Sequence, residues 1–125
     1  MPRLQAGLAV PLILLIAGCS GGSTAGRGAG TAEVGKALFT AKGCSACHTL
    51  TVAGAASTIG PKLDGIGAAA GTRRPGVAAE AYIRESIQDP QAFIAPGFTA
   101  PSPMPNGLAS GKELDDLVAF LAAQK

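Results

Sequence analysis

A chain of 125 residues, 47% of them hydrophobic, has room for one domain and not for two. Ten basic and eight acidic side chains leave a formal net charge of +2. With no basic stripe and few aromatic residues, that balance excludes a nucleic-acid-binding surface.

Much of the hydrophobicity sits at the start. Arg3 is followed by an apolar run from Leu8 to Ala17, too short to span a bilayer and suited to the h-region of a signal peptide. The run ends in Ile16-Ala17-Gly18-Cys19, which resembles the lipobox of bacterial lipoproteins. That resemblance implies a signal peptide over 1–18, cleavage before Cys19 and lipid on its thiol. The plainer alternative is an ordinary signal peptide that leaves a free cysteine. Residues 20–30, Ser-Gly-Gly-Ser-Thr-Ala-Gly-Arg-Gly-Ala-Gly, lack large apolar groups. With Cys19 they make a flexible tether over 19–30, reaching roughly 18 Å.

The remaining 31–125 reads as the folded domain. Thr31 is placed to cap a helix beginning near Ala32, with Glu33 in its first turn. Val34, Ala37, Leu38 and Ala41 recur at helical spacing and predict its apolar face. Lys42 and Gly43 close it, and Cys44-Ser45-Ala46-Cys47-His48 follows at once.

C-x-x-C-H is the attachment signature of c-type haem. Two thiols spaced this way reach the two vinyl groups of one porphyrin, and the next residue brings an imidazole under the iron. Half of a zinc site is an alternative, but no second C-x-x-C exists among the three cysteines. A thioredoxin-like redox pair is another, but it needs a βαβ context that the surrounding residues do not suggest. The haem reading therefore predicts one covalent haem c on Cys44 and Cys47, with His48 as the first axial ligand.

An iron that only carries electrons needs a sixth ligand. Met1 lies in the segment read as removed, which leaves Met104 in Pro101-Ser102-Pro103-Met104-Pro105-Asn106-Gly107. Alternating prolines fix φ and keep this loop stiff. Soft core packing is the ordinary role of methionine; the upstream motif favours ligation.

Other segments are less specific. Thr49 to Pro61 reads as an uncharged loop, and the Pro61 carbonyl is placed either to accept a hydrogen bond from His48 or simply to form a turn. Leu63 to Gly76 reads as Gly/Ala-rich chain ending in an Arg73-Arg74-Pro75-Gly76 turn. Arg73, Arg74 and Tyr82 are candidate contacts for haem propionates; a solvated turn is the alternative for the arginines. Val77 to Gln88 predicts a helix with Tyr82, Ile83, Ser86 and Ile87 on one face, stopped at Asp89-Pro90. Gln91 to Gly111 carries no charge. Ser110-Gly111-Lys112-Glu113 reads as a capping box before a last helix striped by Leu114, Leu117, Val118 and Leu121.

Together these residues resemble the class I cytochromes c from about Val34 to Lys125. The likeness rests on Gly35-x-x-x-Phe39, the haem motif, Gly60-Pro61-x-Leu63, Met104-Pro105 and a terminal helix bearing Phe120. It implies an all-α fold of three to five helices around one haem. In that fold the first and last helices cross at Gly35 and Phe120. It also implies thioethers at Cys44 and Cys47, iron ligation by His48 and Met104, and a Pro61 carbonyl bonded to His48. Tyr82 to Pro90, Pro96-Gly97-Phe98 and Met104-Pro105 are similar to the cytochrome c domain fused to subunit II of haem–copper oxidases.

The expected function is a membrane-tethered carrier of single electrons, not an enzyme. It would be anchored by lipid on the outer face of the cytoplasmic membrane or another periplasmic face. Its expected partners are an upstream quinol-oxidising complex and a haem–copper terminal oxidase. A haem subunit of a larger oxidoreductase complex, a haem enzyme and a gas sensor are the alternatives. The last two need an open or displaceable sixth position that Met104 would close.

Overall fold

The computed structural model describes residues 31–125. The expected signal segment 1–18, the expected lipid site at Cys19 and the expected tether lie outside the described residues. Four α-helices carry the fold: α1 (Ala32–Ala41), α2 (Ile66–Arg73), α3 (Ala79–Gln88) and α4 (Gly111–Ala122). None of the described helices is long and apolar enough to cross a membrane.

α1 crosses α4, and glycine makes the crossing possible. A Cβ on Gly35 would stand 2.1 Å from the Asp116 carbonyl oxygen and 2.4 Å from Phe120 Cβ. No side chain fits there, so the two backbones pack directly. Phe39, fully buried, meets Phe120 edge-to-face with ring centroids 6.1 Å apart. The buried line of α1 is thus Gly35 and Phe39, with Ala32 and Leu38 packed beside it. This corrects the predicted face: Val34 is 47% exposed, and Ala37 and Ala41 are exposed as well. Hydropathy spacing counts glycine as nothing, and here glycine marks the contact.

The caps also differ from expectation. Thr31 and Ser110 occupy the N-cap positions, but neither side chain caps its helix. The Thr31 N–H instead donates to Asp116 Oδ1 of α4 at 2.7 Å, bringing a carboxylate to the positive end of α1. Asp116 is 3% exposed and also holds Lys112 Nζ at 2.9 Å. The Lys112 hydrogen bond first, then the Thr31 N–H, hold its carboxyl below the ordinary aspartate range. At α4, Gly111 enters from the left-handed region at φ +52°, which removes the geometry of a capping box. Glu113 instead pairs with Lys42, the residue that caps the end of α1, at 2.6 Å.

α2 forms where the sequence reads only as Gly/Ala-rich chain leading into a turn at Arg73 to Gly76. Its packing explains why: a Cβ on Gly67 would lie 2.1 Å from the Ala122 carbonyl oxygen, and the Gly67 N–H donates to the Gln124 carbonyl at 2.8 Å. Close backbone packing against the end of α4 overrides poor helix propensity. α3 buries Tyr82, Ile83 and Ile87, on the predicted face. The expected loop after His48 contains a minimal hairpin, β1 (Thr49–Leu50) antiparallel to β2 (Ala55–Ala56). Asp64 ties this hairpin down, accepting from the Thr51 N–H at 2.8 Å and the Thr51 hydroxyl at 3.1 Å.

Candidate haem site

The helices and the loops between them enclose a cavity of about 430 Å³, within the range of small-molecule and cofactor sites. Phe39 of α1, Ile83 and Ile87 of α3, and Leu117 and Leu121 of α4 give it an apolar wall. Cys44, Cys47, His48 and Met104, each picked out by sequence, all line it.

Local structure puts the motif there. Gly43, at φ 76°, ends α1 in the left-handed region and starts a short 3-10 turn over Cys44–Ala46. The N–H groups of Cys47 and His48 both donate to the Cys44 carbonyl, at 3.2 and 3.0 Å. The tight turn delivers two thiols and an imidazole to one wall within five residues. Both cysteines are half-buried, and among the described residues neither is in a disulfide. Burial raises the Cys44 pKa, offset in part by a backbone hydrogen bond and reinforced by neighbouring Cys47.

His48 is gripped by the strap at Gly60-Pro61. Its Nδ1–H donates to the Pro61 carbonyl at 2.7 Å. A carbonyl can only accept, so Nδ1 carries a proton. Nε2 is the ring nitrogen left without a protein partner among the described residues, able to offer a lone pair to a metal when the ring is neutral. Gly60 lies flat on the ring, where a Cβ would stand 2.7 Å from Cε1 and 2.9 Å from Nδ1. Its own N–H donates to the Cys47 carbonyl at 2.6 Å, which closes the strap onto the motif. An imidazole held through Nδ1, two adjacent thiols, a thioether and an apolar enclosure form a donor set that fits haem c.

The propionate candidates separate. Arg73 and Tyr82 line the cavity, and Tyr82 is 4% exposed. Arg74 does not line it. Its guanidinium pairs with Glu85 of α3 and sits over the Phe93 ring, 5.6 Å from the centroid. Phe93 in turn meets Tyr82 edge-to-face at 5.8 Å. Arg74 therefore braces the cavity wall from outside.

The rival motif readings find no support in this arrangement. Among the described residues no group of three or more His, Cys, Asp or Glu side chains gathers as a metal site, and the only described sheet is the two-stranded hairpin, without a βαβ unit. Sequence reading missed Gly60 on the imidazole, although Gly-Pro before a strap was its visible signal. It also missed the hydrogen bonds that hold the methionine loop.

The cytochrome c family model matches residues 32–125, the whole described domain except its first residue. The chain belongs to the cytochrome c family. It is an electron-transfer protein of all-α fold, and Cys44 and Cys47 carry the spacing by which the family attaches haem c. No curated protein is significantly similar to this cytochrome. Among solved structures, SoxXA from P. pantotrophus shares 24% identity over 78% of this chain and 83% of that one, with a TM-score of 0.54. At that identity the likeness is one of fold.

Proposed function

We propose that this cytochrome carries single electrons on a bound haem whose iron would be held by His48 and Met104. The observation that carries the reading is that His48, with its Nδ1 engaged by Pro61, and Met104 line one apolar cavity from separate segments. Bound haem supplies the one-electron iron couple, and thioether ligation favours its reduced form. The protein contributes the rest. Pro61 and Gly60 hold the imidazole, the apolar wall keeps water out, and the thiols anchor the group covalently. Among the described residues no carboxylate lines the cavity, which favours a carrier over a haem enzyme needing acid–base groups.

Lipid on Cys19 would hold the domain at a periplasmic membrane face. There it would pass electrons from a quinol-oxidising complex to a haem–copper oxidase. What supports such docking is the character of the cavity rim. Ile59 and Phe98 line it and are 60% and 40% exposed. The two lysines nearest in sequence are already paired, Lys42 with Glu113 at 2.6 Å and Lys62 with Asp64 at 3.4 Å. An apolar contact with little charge steering follows, and confinement to the membrane would raise the effective concentration of partners.

The test is Met104→Ala in the haem-loaded protein. Reduced wild type should bind carbon monoxide only weakly at neutral pH, while the variant should bind it tightly and show a lower midpoint potential. A variant that stays closed and keeps the wild-type potential would overturn the assignment. For the docking surface, electron transfer to the oxidase should vary little across a salt series, and a steep fall would point to charge steering. For the anchor, an intact mass without an acyl increment on Cys19 would exclude it.

A further inference from the structure

We infer that Gln91 is the positioning residue for Met104: its side-chain amide closes the base of the methionine loop and sets where the thioether lies in the cavity. The inference rests on Met104 as the sixth ligand. Gln91 Nε2 donates to the Ser102 carbonyl at 2.9 Å, and the Ser102 N–H donates to Gln91 Oε1 at 3.0 Å. One primary amide thus takes both backbone groups of Ser102, as a neighbouring strand would. The pairing fixes the orientation of the amide, since the flipped arrangement would lose both bonds.

The bonds beyond this clasp lead straight to the ligand. The Met104 N–H donates to Ser102 Oγ at 3.2 Å, a local turn of the kind serine favours. Pro103 and Pro105 fix φ on each side of Met104 and have no N–H to place. The far foot is held by the Gly107 N–H on the Gln88 carbonyl at 3.0 Å. Gln88 ends α3 and Gln91 follows it across Asp89-Pro90, where Asp89 Oδ1 accepts the Gln91 N–H at 3.2 Å. Both feet of the 102–107 loop therefore stand on the end of α3. Among the described residues, the backbone of 93–106 makes no other hydrogen bond to the rest of the protein. Gln91 is exposed and does not line the cavity, so its influence on the cavity runs through Ser102 to Met104.

The experiment compares haem-loaded wild type, Gln91→Ala, Gln91→Glu, Met104→Ala and the Gln91→Ala/Met104→Ala double variant. The readouts are carbon monoxide affinity of the reduced protein, midpoint potential and melting temperature. Gln91→Ala should bind carbon monoxide about tenfold more tightly than wild type, the equilibrium equivalent of one or two ordinary hydrogen bonds. Its potential should fall and its melting temperature should scarcely move. Gln91→Glu keeps the shape but faces a carboxylate toward the Ser102 carbonyl, so it should match Gln91→Ala or exceed it. In the Met104→Ala background, Gln91→Ala should add nothing, because its effect passes through that side chain. Wild-type affinity and potential in both Gln91 variants, beside a changed Met104→Ala, would refute the clasp and leave the ligand assignment standing. An unchanged Met104→Ala would remove the assignment and the clasp together. A Gln91→Ala effect that persists at full size without Met104 would also refute the clasp, showing general loosening of the fold.

Discussion

Two regions of this cytochrome reach the same cavity and are held by different means. The α1–α4 crossing is backbone against backbone, with Gly35 leaving no room for a side chain and Phe39 locked on Phe120. The segment from Gln91 to Ser110 has almost no regular structure and is held by prolines, a few apolar anchors such as Phe93, and side-chain bonds to its backbone. The crossing resists change because nothing can move without separating two helices. The loop can adjust locally, so its defects should appear in ligand behaviour before they appear in stability. A fold that must bind a large cofactor within so short a chain benefits from both: a rigid frame, and a strap that closes over the group.

Gly35→Val strikes the frame and should have the largest effect. Its Cβ would fall 2.1 Å from the Asp116 carbonyl oxygen, closer than any real contact, and the obstacle is backbone that cannot rotate away. The loss should equal or exceed the about 1–3 kcal/mol typical of overpacking. At about 4–8 °C per kcal/mol for a domain of this size, a thermal melt of the haem-loaded protein will register it clearly. An unchanged melt would mean that the helices part at this point without consequence.

Gly60→Ala strikes the boundary between frame and ligand. The new methyl would press on Cε1 and Nδ1 of His48, at 2.7 and 2.9 Å, and turn the ring from the Pro61 carbonyl. That hydrogen bond makes the imidazole a stronger donor and so favours oxidised iron. Its loss should raise the midpoint potential, with a smaller change in melting than Gly35→Val produces. A redox titration showing the wild-type potential would mean the strap yields and the bond survives.

What sequence reading could see follows the same division. That Cys44, Cys47, His48 and Met104 meet at one cavity is legible because the motif spacing and a methionine set among prolines single them out, and α3 is legible because Tyr82, Ile83 and Ile87 are large and regularly spaced. The face of α1 was misjudged because its central contact, Gly35, carries no hydropathy; only the family likeness pointed to it. α2 was invisible because its stability lies in Gly67 meeting the end of α4, a contact distant in sequence. Nothing in the sequence marks Asp116 or Gln91, since their partners, Thr31 and Ser102, are chosen by the fold.

Asp116→Asn probes a link within the frame that depends on pH. The folded carboxyl titrates below the ordinary value of about 3.9. The stability it contributes is therefore present above that value and disappears as pH falls through the lower folded value. The Asn variant should melt below wild type at neutral pH, and the two curves should converge in acid. A gap that stays constant down to about pH 2.5 would show that charge on Asp116 is not what α1 recognises.

The smallest effect belongs to Glu113, and it decides between two accounts of one residue. In a capping box, glutamine serves as well as glutamate, and the contribution would be insensitive to salt. The structure instead gives Glu113 to Lys42 across the crossing, with side chains 50% and 28% exposed. An exposed pair of this kind contributes about 0–1 kcal/mol. Glu113→Gln should then cost as much as Glu113→Ala, and both differences from wild type should shrink as salt screens the pair. Melting curves at low and high ionic strength will separate the two: a Gln variant indistinguishable from wild type at both would restore the cap and leave Lys42 unpaired. Because Lys42 is also a candidate for steering partners, freeing it should make electron transfer more sensitive to salt than in wild type, which links this small structural change back to the apolar rim at Ile59 and Phe98.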